Sequence, residues 1–336
     1  MSFFNQSVIF VTGGTGSFGQ QFIKSTLAKY NPKKIVIYSR DEMKQWNMAE
    51  KLKKYKSKLE FIIGDIRDMQ RLDMATKGVD YIIHSAATKI VPTAEDNPFE
   101  CIKTNVIGSM NVLNCAVSNN VKKLVALSTD KASSPINLYG ATKLASDKLL
   151  VASNSTYARG EATSFSIVRY GNVMGSRGSV IPFFMSLKDQ KELPITDERM
   201  TRFMISLNQG VELVWHAFED MVGGEIYVKK IPSIKVTDIA KVIAPQAMHK
   251  IIGIRPGEKL HEQMISSDDS YSTYEYPSYH KILPQIYEWG KDSLRIKDGV
   301  KVPEGFFYNS DNNTEWMTKS NLRKWIDKNQ EHMGKI

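Results

Sequence analysis

Val8-Ile9-Phe10-Val11-Thr12-Gly13-Gly14-Thr15-Gly16-Ser17-Phe18-Gly19 is the stretch on which the fold turns. Val8 to Val11 is a short apolar run, the form taken by a strand covered on both faces. Gly13, Gly16 and Gly19 follow at the spacing G-x-x-G-x-x-G, and a helical stretch runs from Phe18 to about Tyr30. Alone, such a triplet is an ordinary glycine-rich turn. Between a strand and a helix it lets backbone N–H groups approach a pyrophosphate, with the positive end of the helix dipole behind them. Gly13, Thr15, Gly16, Ser17, Phe18 and Gly19 are therefore candidates for holding a dinucleotide.

Outward from this loop the first half of the chain alternates. Ile35–Tyr38, Leu59–Ile63, Tyr81–His84, Leu124–Leu127 and Phe165–Val168 read as strands. Helices are expected from about Asp41 to Tyr55, near Arg71, from Pro98 to Val117 and from Leu138 to Ala152. The alternation implies right-handed crossovers and an α/β fold: a Rossmann-type doubly wound parallel sheet. After about Arg169 the rhythm breaks on Gly171, Gly175, Gly178, Pro182 and Pro194. We expect a nucleotide-binding domain over 1–170 and a smaller, partly interleaved region over 171–336. Segments near 205–235 should return to the first domain. From about Ser266 to Val302 the pattern is too weak to assign.

The chain has 336 residues, 42% hydrophobic and 24% charged, an ordinary globular balance for roughly two domains. The two cysteines, Cys101 and Cys115, do not form a disulfide framework and are expected as buried thiols on one helix. No apolar run reaches membrane-spanning length, and Met1–Ser7 lacks the features of a secretory signal, so a cytoplasmic protein with no membrane partner is expected. Lys and Arg outnumber Asp and Glu by 45 to 36, a net charge of +9. The lysines are scattered, as at Lys51, Lys53, Lys54, Lys56 and Lys58, which is a solvated face rather than a nucleic-acid stripe. His84, His249 and His261 are dispersed and suggest no metal site.

The end of the second strand reports on the dinucleotide. An acidic residue there would take the ribose 2′-hydroxyl of NAD. Here Ser39 and Arg40 follow Tyr38, with Lys44 one turn later, a set suited to the 2′-phosphate of NADP. Asp41 is read as a helix N-cap. Asp65 and Ile66, after the third strand, suit the adenine amine and ring, with a plain strand-end turn as the alternative.

Ser128-Thr129-Asp130-Lys131-Ala132 follows the fifth strand, and Tyr139-Gly140-Ala141-Thr142-Lys143 opens the next helix. Tyr139 and Lys143, four apart, share a helix face. An ammonium at Lys143 would favour the Tyr139 phenolate, and Thr129 can bond the same substrate oxygen. Y-x-x-x-K is common by itself. After the glycine triplet and the Ser-Thr pair it marks an oxidoreductase site beside a nicotinamide at the carboxyl ends of the strands.

These residues resemble the extended short-chain dehydrogenase/reductases. Within them the chain is similar to the inverting UDP-N-acetylglucosamine 4,6-dehydratases, the type that opens bacterial pseudaminic acid synthesis. The similarity is carried by Ser128–Ala132 with Asn137–Lys143, Tyr38–Glu42, Arg169–Val173, Gly175–Val180, Pro194–Asp197, Met200–Phe203 and Gly253–Glu262, nearly the whole chain. In dehydratases that keep the carbon 5 configuration, the pair at Asp130-Lys131 is Asp-Glu. The resemblance implies that Tyr139, with Thr129 and Lys143, takes the proton of the sugar 4-hydroxyl while hydride passes to NADP. Lys131, as a neutral amine, then removes the carbon 5 proton, and Asp130 protonates the departing 6-hydroxyl. Hydride returns to carbon 6, and a proton reaches carbon 5 on the opposite face from Lys131 or Tyr139. It further implies cofactor contacts from Ala86, Lys89, Leu127, Ser128, Val173 and Arg177. Asn172, Val180, Thr196 and Lys89 would surround the sugar, with Arg255 and Glu258 on the nucleotide end. Arg202 is either a second phosphate contact or a helix-end ion pair; Asn105 is expected to bond backbone. Family members are commonly dimers or hexamers. The chain departs from the family pattern at Ile90, where a histidine is usual, and at Met204, often tryptophan; both are expected near the sugar pocket. A sugar-nucleotide 4-epimerase would need the Thr/Tyr/Lys set but no elimination pair, and a non-catalytic NADP sensor could dispense with Tyr139.

Overall fold

The computed structural model describes residues 3–156, 163–176 and 178–329. Six strands alternate with helices: β1 (Val8–Thr12), β2 (Lys34–Ser39), β3 (Leu59–Ile63), β4 (Tyr81–His84), β5 (Lys123–Leu127) and β6 (Ser164–Arg169). They lie in the order β3-β2-β1-β4-β5-β6, all parallel. The order reverses between β1 and β4, the switch point at which a parallel sheet opens a crevice at its carboxyl edge. β1, β2 and β4 are almost wholly buried, as their unbroken apolar runs require.

Two apolar layers cover the sheet. One gathers Phe4, Ile9, Val11, Phe22, Ile37, Val214 and Phe218. The other gathers Phe10, Val36, Ile82, Val112, Leu124 and Phe165. The helix Ser17–Lys29 presents Phe22, Ile23 and Leu27 to the first layer at helical spacing. A third cluster, with Met174, Ile181, Phe184, Ile195, Met204 and Ile239, forms the core of the C-terminal region.

The chain returns to the sheet after β6. A capping box of Ser206 and Gln209 starts the helix Leu207–Asp220, and Ile226–Lys229 then pairs parallel with β6. The sheet does not stop there. Tyr279–Ile282, Thr273–Glu275 and Val300–Lys301 extend it antiparallel to ten strands. These are strands of two to four residues, too short to show a period, within the stretch the pattern left unassigned. Two helices also differ from expectation. The helix expected from Asp41 to Tyr55 stops at Lys51 and becomes a tighter turn over Lys53–Lys58. The helix from Pro98 continues to Ser118 but carries a π turn at Lys103–Ile107, which an apolar period cannot reveal. Cys101 and Cys115 lie on it, both free and fully buried. Among the described residues no helix is long and apolar enough to cross a membrane.

Candidate active site

The glycine loop fits a pyrophosphate by shape. Gly13 has φ +64°, and a Cβ there would sit 2.9 Å from the Ala86 backbone. A Cβ on Gly19 would meet Gly14 at 2.6 Å, so the helix is drawn close to the loop. Gly16 caps the helix without a side-chain hydrogen bond, and no acidic residue lies in the first turn. The positive helix end is thus left open to an anion. Thr15 is buried, with its carbonyl taken by Gln20. Phe18 turns its ring into the core against Phe22 and Tyr170, so toward a ligand it offers backbone only.

At the end of β2 the charges are partly spent on one another. Asp41 caps its helix, accepting from the Lys44 N–H at 2.9 Å, and the Lys44 ammonium turns back to it at 2.6 Å. Arg40 is largely exposed and lies 3.7 Å from Asp65. Asp65 is held by Arg67, whose Nε and backbone N–H both donate to it at 2.9 Å. Burial raises the Asp65 carboxyl, but Arg67 outweighs it and leaves a net fall. Ile66 packs into the second core layer. Sequence reasoning missed Arg67, whose signal is the two-residue spacing from Asp65.

The reaction end is built where β5 meets the helix Leu138–Thr156. Lys143 is buried and donates to the Leu127 carbonyl at 2.7 Å. Burial lowers its amine below the ordinary lysine range, with Asp147 pulling the other way. Ser128 donates to Asp147 at 2.7 Å. Burial raises the Tyr139 phenol to about 12, against the Lys131 ammonium and the Thr129 hydroxyl, which pull it down. Lys131 is thus one cation that eases Tyr139 ionisation, while the Lys143 ammonium donates to a backbone carbonyl.

Thr129 donates to Asp130 at 2.9 Å, and Lys131 Nζ lies 3.0 Å from Asp130 Oδ1 and 3.1 Å from Glu262 Oε1. Burial alone would lower the lysine; the two carboxylates outweigh it and hold it above its ordinary range. Burial raises Asp130, with Lys131 opposing. Glu262 is also raised by burial, but Lys131 and Arg202 overturn that and lower it. Between two acids the resting Lys131 favours the ammonium form, so to act as a neutral amine it must first pass its proton on.

Glu262 was not singled out in the sequence, although the run Gly253–Glu262 ends on it. The loop carrying it is tied to the reaction end: Lys259 donates to Ser133 O at 2.7 Å, Asn137 to Gly257 O at 2.7 Å and Ser134 to Gln263 at 2.7 Å. Arg255 and Glu258 sit on this loop, 4.0 Å apart, with Arg255 about half exposed. Asn172 and Val173 form a short strand beside Met204–Ile205, and the Asn172 Oδ1 is buried without a partner. Val180 opens a helix, and Thr196, half-buried, follows the strand Glu192–Ile195. Ala86 lies against the glycine loop, and Lys89 is exposed. Arg177 lies outside the described residues.

Two further expectations change. Arg202 is at no helix end but in the strand Thr201–Ile205, donating to Thr201 O and Leu260 O and lying 3.8 Å from Glu262. Its guanidinium is occupied within the protein. Met204 is 1% exposed in the third core cluster, not lining an open pocket, whereas Ile90 is exposed. Asn105 bonds the Thr88 backbone both ways, at 2.8 and 2.9 Å.

Residues 9–284 match the family described as "Polysaccharide biosynthesis protein". The chain is 55% identical over 331 residues to a protein of Campylobacter jejuni subsp. jejuni serotype O:2 named UDP-N-acetylglucosamine 4,6-dehydratase (inverting), covering 96% of this chain and 98% of the relative. It is 44% identical over 288 residues to a Rickettsia prowazekii protein named UDP-glucose 4-epimerase, covering 83% of each. Among solved structures, Pen from Bacillus thuringiensis superimposes with a TM-score of 0.89 at 34% identity, covering 98% of this chain and 99% of that one. DesIV, a dTDP-glucose 4,6-dehydratase from Streptomyces venezuelae with NAD bound, gives 0.69 at 25%, covering 75% and 86%. The chain belongs to the polysaccharide biosynthesis protein family of extended short-chain dehydrogenase/reductases.

Proposed function

We propose that this protein is a UDP-N-acetylglucosamine 4,6-dehydratase that inverts carbon 5, giving UDP-2-acetamido-2,6-dideoxy-β-L-arabino-hexos-4-ulose. The observation that carries it is the contact of buried Asp130 with partly exposed Lys131 beside Tyr139, an acid–base couple that a simple 4-epimerase does not need. The relative named as an inverting dehydratase, similar over nearly the whole chain, supports it.

Tyr139, bonded to Thr129, takes the proton of the 4-hydroxyl, and its charge is eased by Lys131. Lys143 is fixed on the Leu127 carbonyl, and on this reading a bound nicotinamide would lie beside it. A nicotinamide held by the glycine loop would supply the hydride acceptor for carbon 4 and the hydride donor for carbon 6. Asp130 and Lys131 supply the elimination. One proton passed across their 3.0 Å contact turns an ammonium and a carboxylate into a neutral amine and a neutral acid. The amine takes the carbon 5 proton and the acid gives its proton to the departing 6-hydroxyl. One water leaves and the ion pair is restored; once carbon 6 has received hydride, a proton from Lys131 or Tyr139 reaches carbon 5 on the opposite face and inverts it. Each such group contributes about 10²–10⁴-fold.

For the cofactor we propose NADP, on Ser39 and the exposed Arg40; Lys44 must leave Asp41 to join them. Gly13 to Gly19 hold the pyrophosphate, with Asp65, Ala86, Ser128 and Val173 around the nucleoside ends. Asn172, Val180 and Thr196 flank the sugar, and Arg255 and Glu258 take the diphosphate and ribose. Residues 1–170, with the returning segment near 205–235, form the nucleotide-binding unit, and the remainder mainly the sugar-nucleotide unit. A homo-oligomer is part of the same proposal.

The test is incubation with UDP-N-acetylglucosamine in deuterated water without added NADPH. The expected product has lost one water and carries deuterium at carbon 5 in the L-arabino configuration. A first-formed D-xylo product removes the inverting assignment.

A further inference from the structure

Glu262 enters the site from a loop far along the chain, and it is not needed to hold that loop. Its backbone N–H donates to Ser310 Oγ at 2.9 Å, and its carbonyl accepts from Ser310 N–H at 2.8 Å. The strand Gln263–Ile265 then pairs with Tyr308–Asn309. The backbone is therefore pinned whatever the side chain does. The carboxylate is 2% exposed, and its Oε2 has no hydrogen-bond partner. Burying a half-satisfied carboxylate costs stability. Its near contact is Lys131, at 3.1 Å, while the Arg202 Nε stands off at 3.8 Å, with Nη1 placed on backbone carbonyls and Nη2 on the Met200 sulfur.

We propose that Glu262 is a positioning residue of the elimination step: together with Asp130 it fixes the Lys131 amine in the site and sets the pH at which that amine sheds its proton. The proposal rests on the dehydratase reading for its purpose. The charged and titratable groups facing the amine are Asp130 on its own turn, Tyr139 from the following helix, Arg202 from the strand Thr201–Ile205, and Lys259 with Glu262 from the tied loop. Of these, Asp130 and Glu262 are the anions within hydrogen-bonding distance. Asp130 exchanges its proton with Lys131 in each cycle, so the charge that stays constant through elimination is that of Glu262. Taking the carbon 5 proton turns the amine into an ammonium, and Glu262 is the fixed charge that stabilises it there.

The test reads Lys131 directly and needs no substrate. The holoenzyme is treated at a fixed alkaline pH with an amine-acylating reagent, which reacts with the neutral amine alone. Labelling at Lys131 is followed by peptide mass spectrometry, with the exposed Lys250 as internal standard. An opposite charge at this range moves a pKa by about 1–3 units, so Glu262→Gln should label Lys131 roughly 10- to 1,000-fold faster. The acid limb of its pH profile for water loss should move to lower pH. Glu262→Asp keeps the charge but draws it back by one carbon, so labelling should speed up less, and this variant serves if Glu262→Gln does not fold. Unchanged labelling in either folded variant overturns the proposal. A wild-type enzyme that labels as expected but does not dehydrate UDP-N-acetylglucosamine removes the dehydratase reading and leaves the Glu262–Lys131 coupling standing.

Discussion

On the helix side of the site Lys143 is buried against the Leu127 carbonyl, and burial lowers its amine. On the turn side Lys131 is clasped by Asp130 and Glu262, which outweigh burial and raise it. Two lysines at the end of one strand thus have opposite fates, decided by whether the partner is a dipole or a charge. A lysine on a carbonyl stays a fixed donor. A lysine between acids is one half of a proton store, and the neighbouring acid, raised by its own burial, is the other half. The first suits alcohol oxidation beside a nicotinamide; the second suits taking a proton from carbon while giving one to oxygen.

Substitutions that separate the two sides would break or sharpen this contrast. The largest effect is expected for Tyr139→Phe: loss of turnover by roughly 10⁴-fold, with no reduced nicotinamide detected by absorbance after mixing with substrate. Signal at the wild-type rate would take the oxidation away from the helix side. Asp130→Asn should slow water loss by roughly 10²–10³-fold while cofactor reduction survives, as read by product mass and absorbance in one experiment. Equal loss of both would merge the two sides into a single unit.

A smaller effect is expected where the nucleotide meets both. Gly13→Ala places a side chain at φ +64° and within 2.9 Å of Ala86. It should cost about 1–3 kcal/mol in denaturant titrations, and the protein should be isolated without cofactor. The smallest is a pH effect beneath the helix side. His84 bonds Thr12 and Ser109, and burial, aided by Lys143, lowers it from 6.5 to about 3. The unfolded chain therefore binds a proton that the folded one refuses. Stability is complete above the unfolded value and is lost as pH falls, by about 1 kcal/mol between about pH 6.5 and about pH 5.5. His84→Gln should flatten that slope in thermal melts; an unchanged slope would place its cause elsewhere.

The parts of the molecule legible in the sequence are those with local grammar. β1 to β6 are apolar runs of four to six residues bounded by turns, and the glycine loop announces its own geometry. Tyr139 and Lys143 share a helix face by spacing, and Asp41 declares its cap. What stayed hidden depends on distant chain. No period marks Thr273–Glu275 or Val300–Lys301 as sheet, because strands this short are defined by their neighbours. The second acid on Lys131 is hidden in the sequence because Glu262 reaches it only through tertiary packing. Arg202 looked available for phosphate because sequence cannot show that Leu260 and Thr201 occupy it.

The division of labour is tested most directly in Lys131→Met mixed with UDP-N-acetylglucosamine, following nicotinamide absorbance and sugar-nucleotide mass together. We expect the cofactor to become reduced, more slowly than in the wild type because the Lys131 charge beside Tyr139 is gone, and to remain reduced, with no loss of water from the sugar. Full turnover, or failure to reduce the cofactor at all, would contradict it.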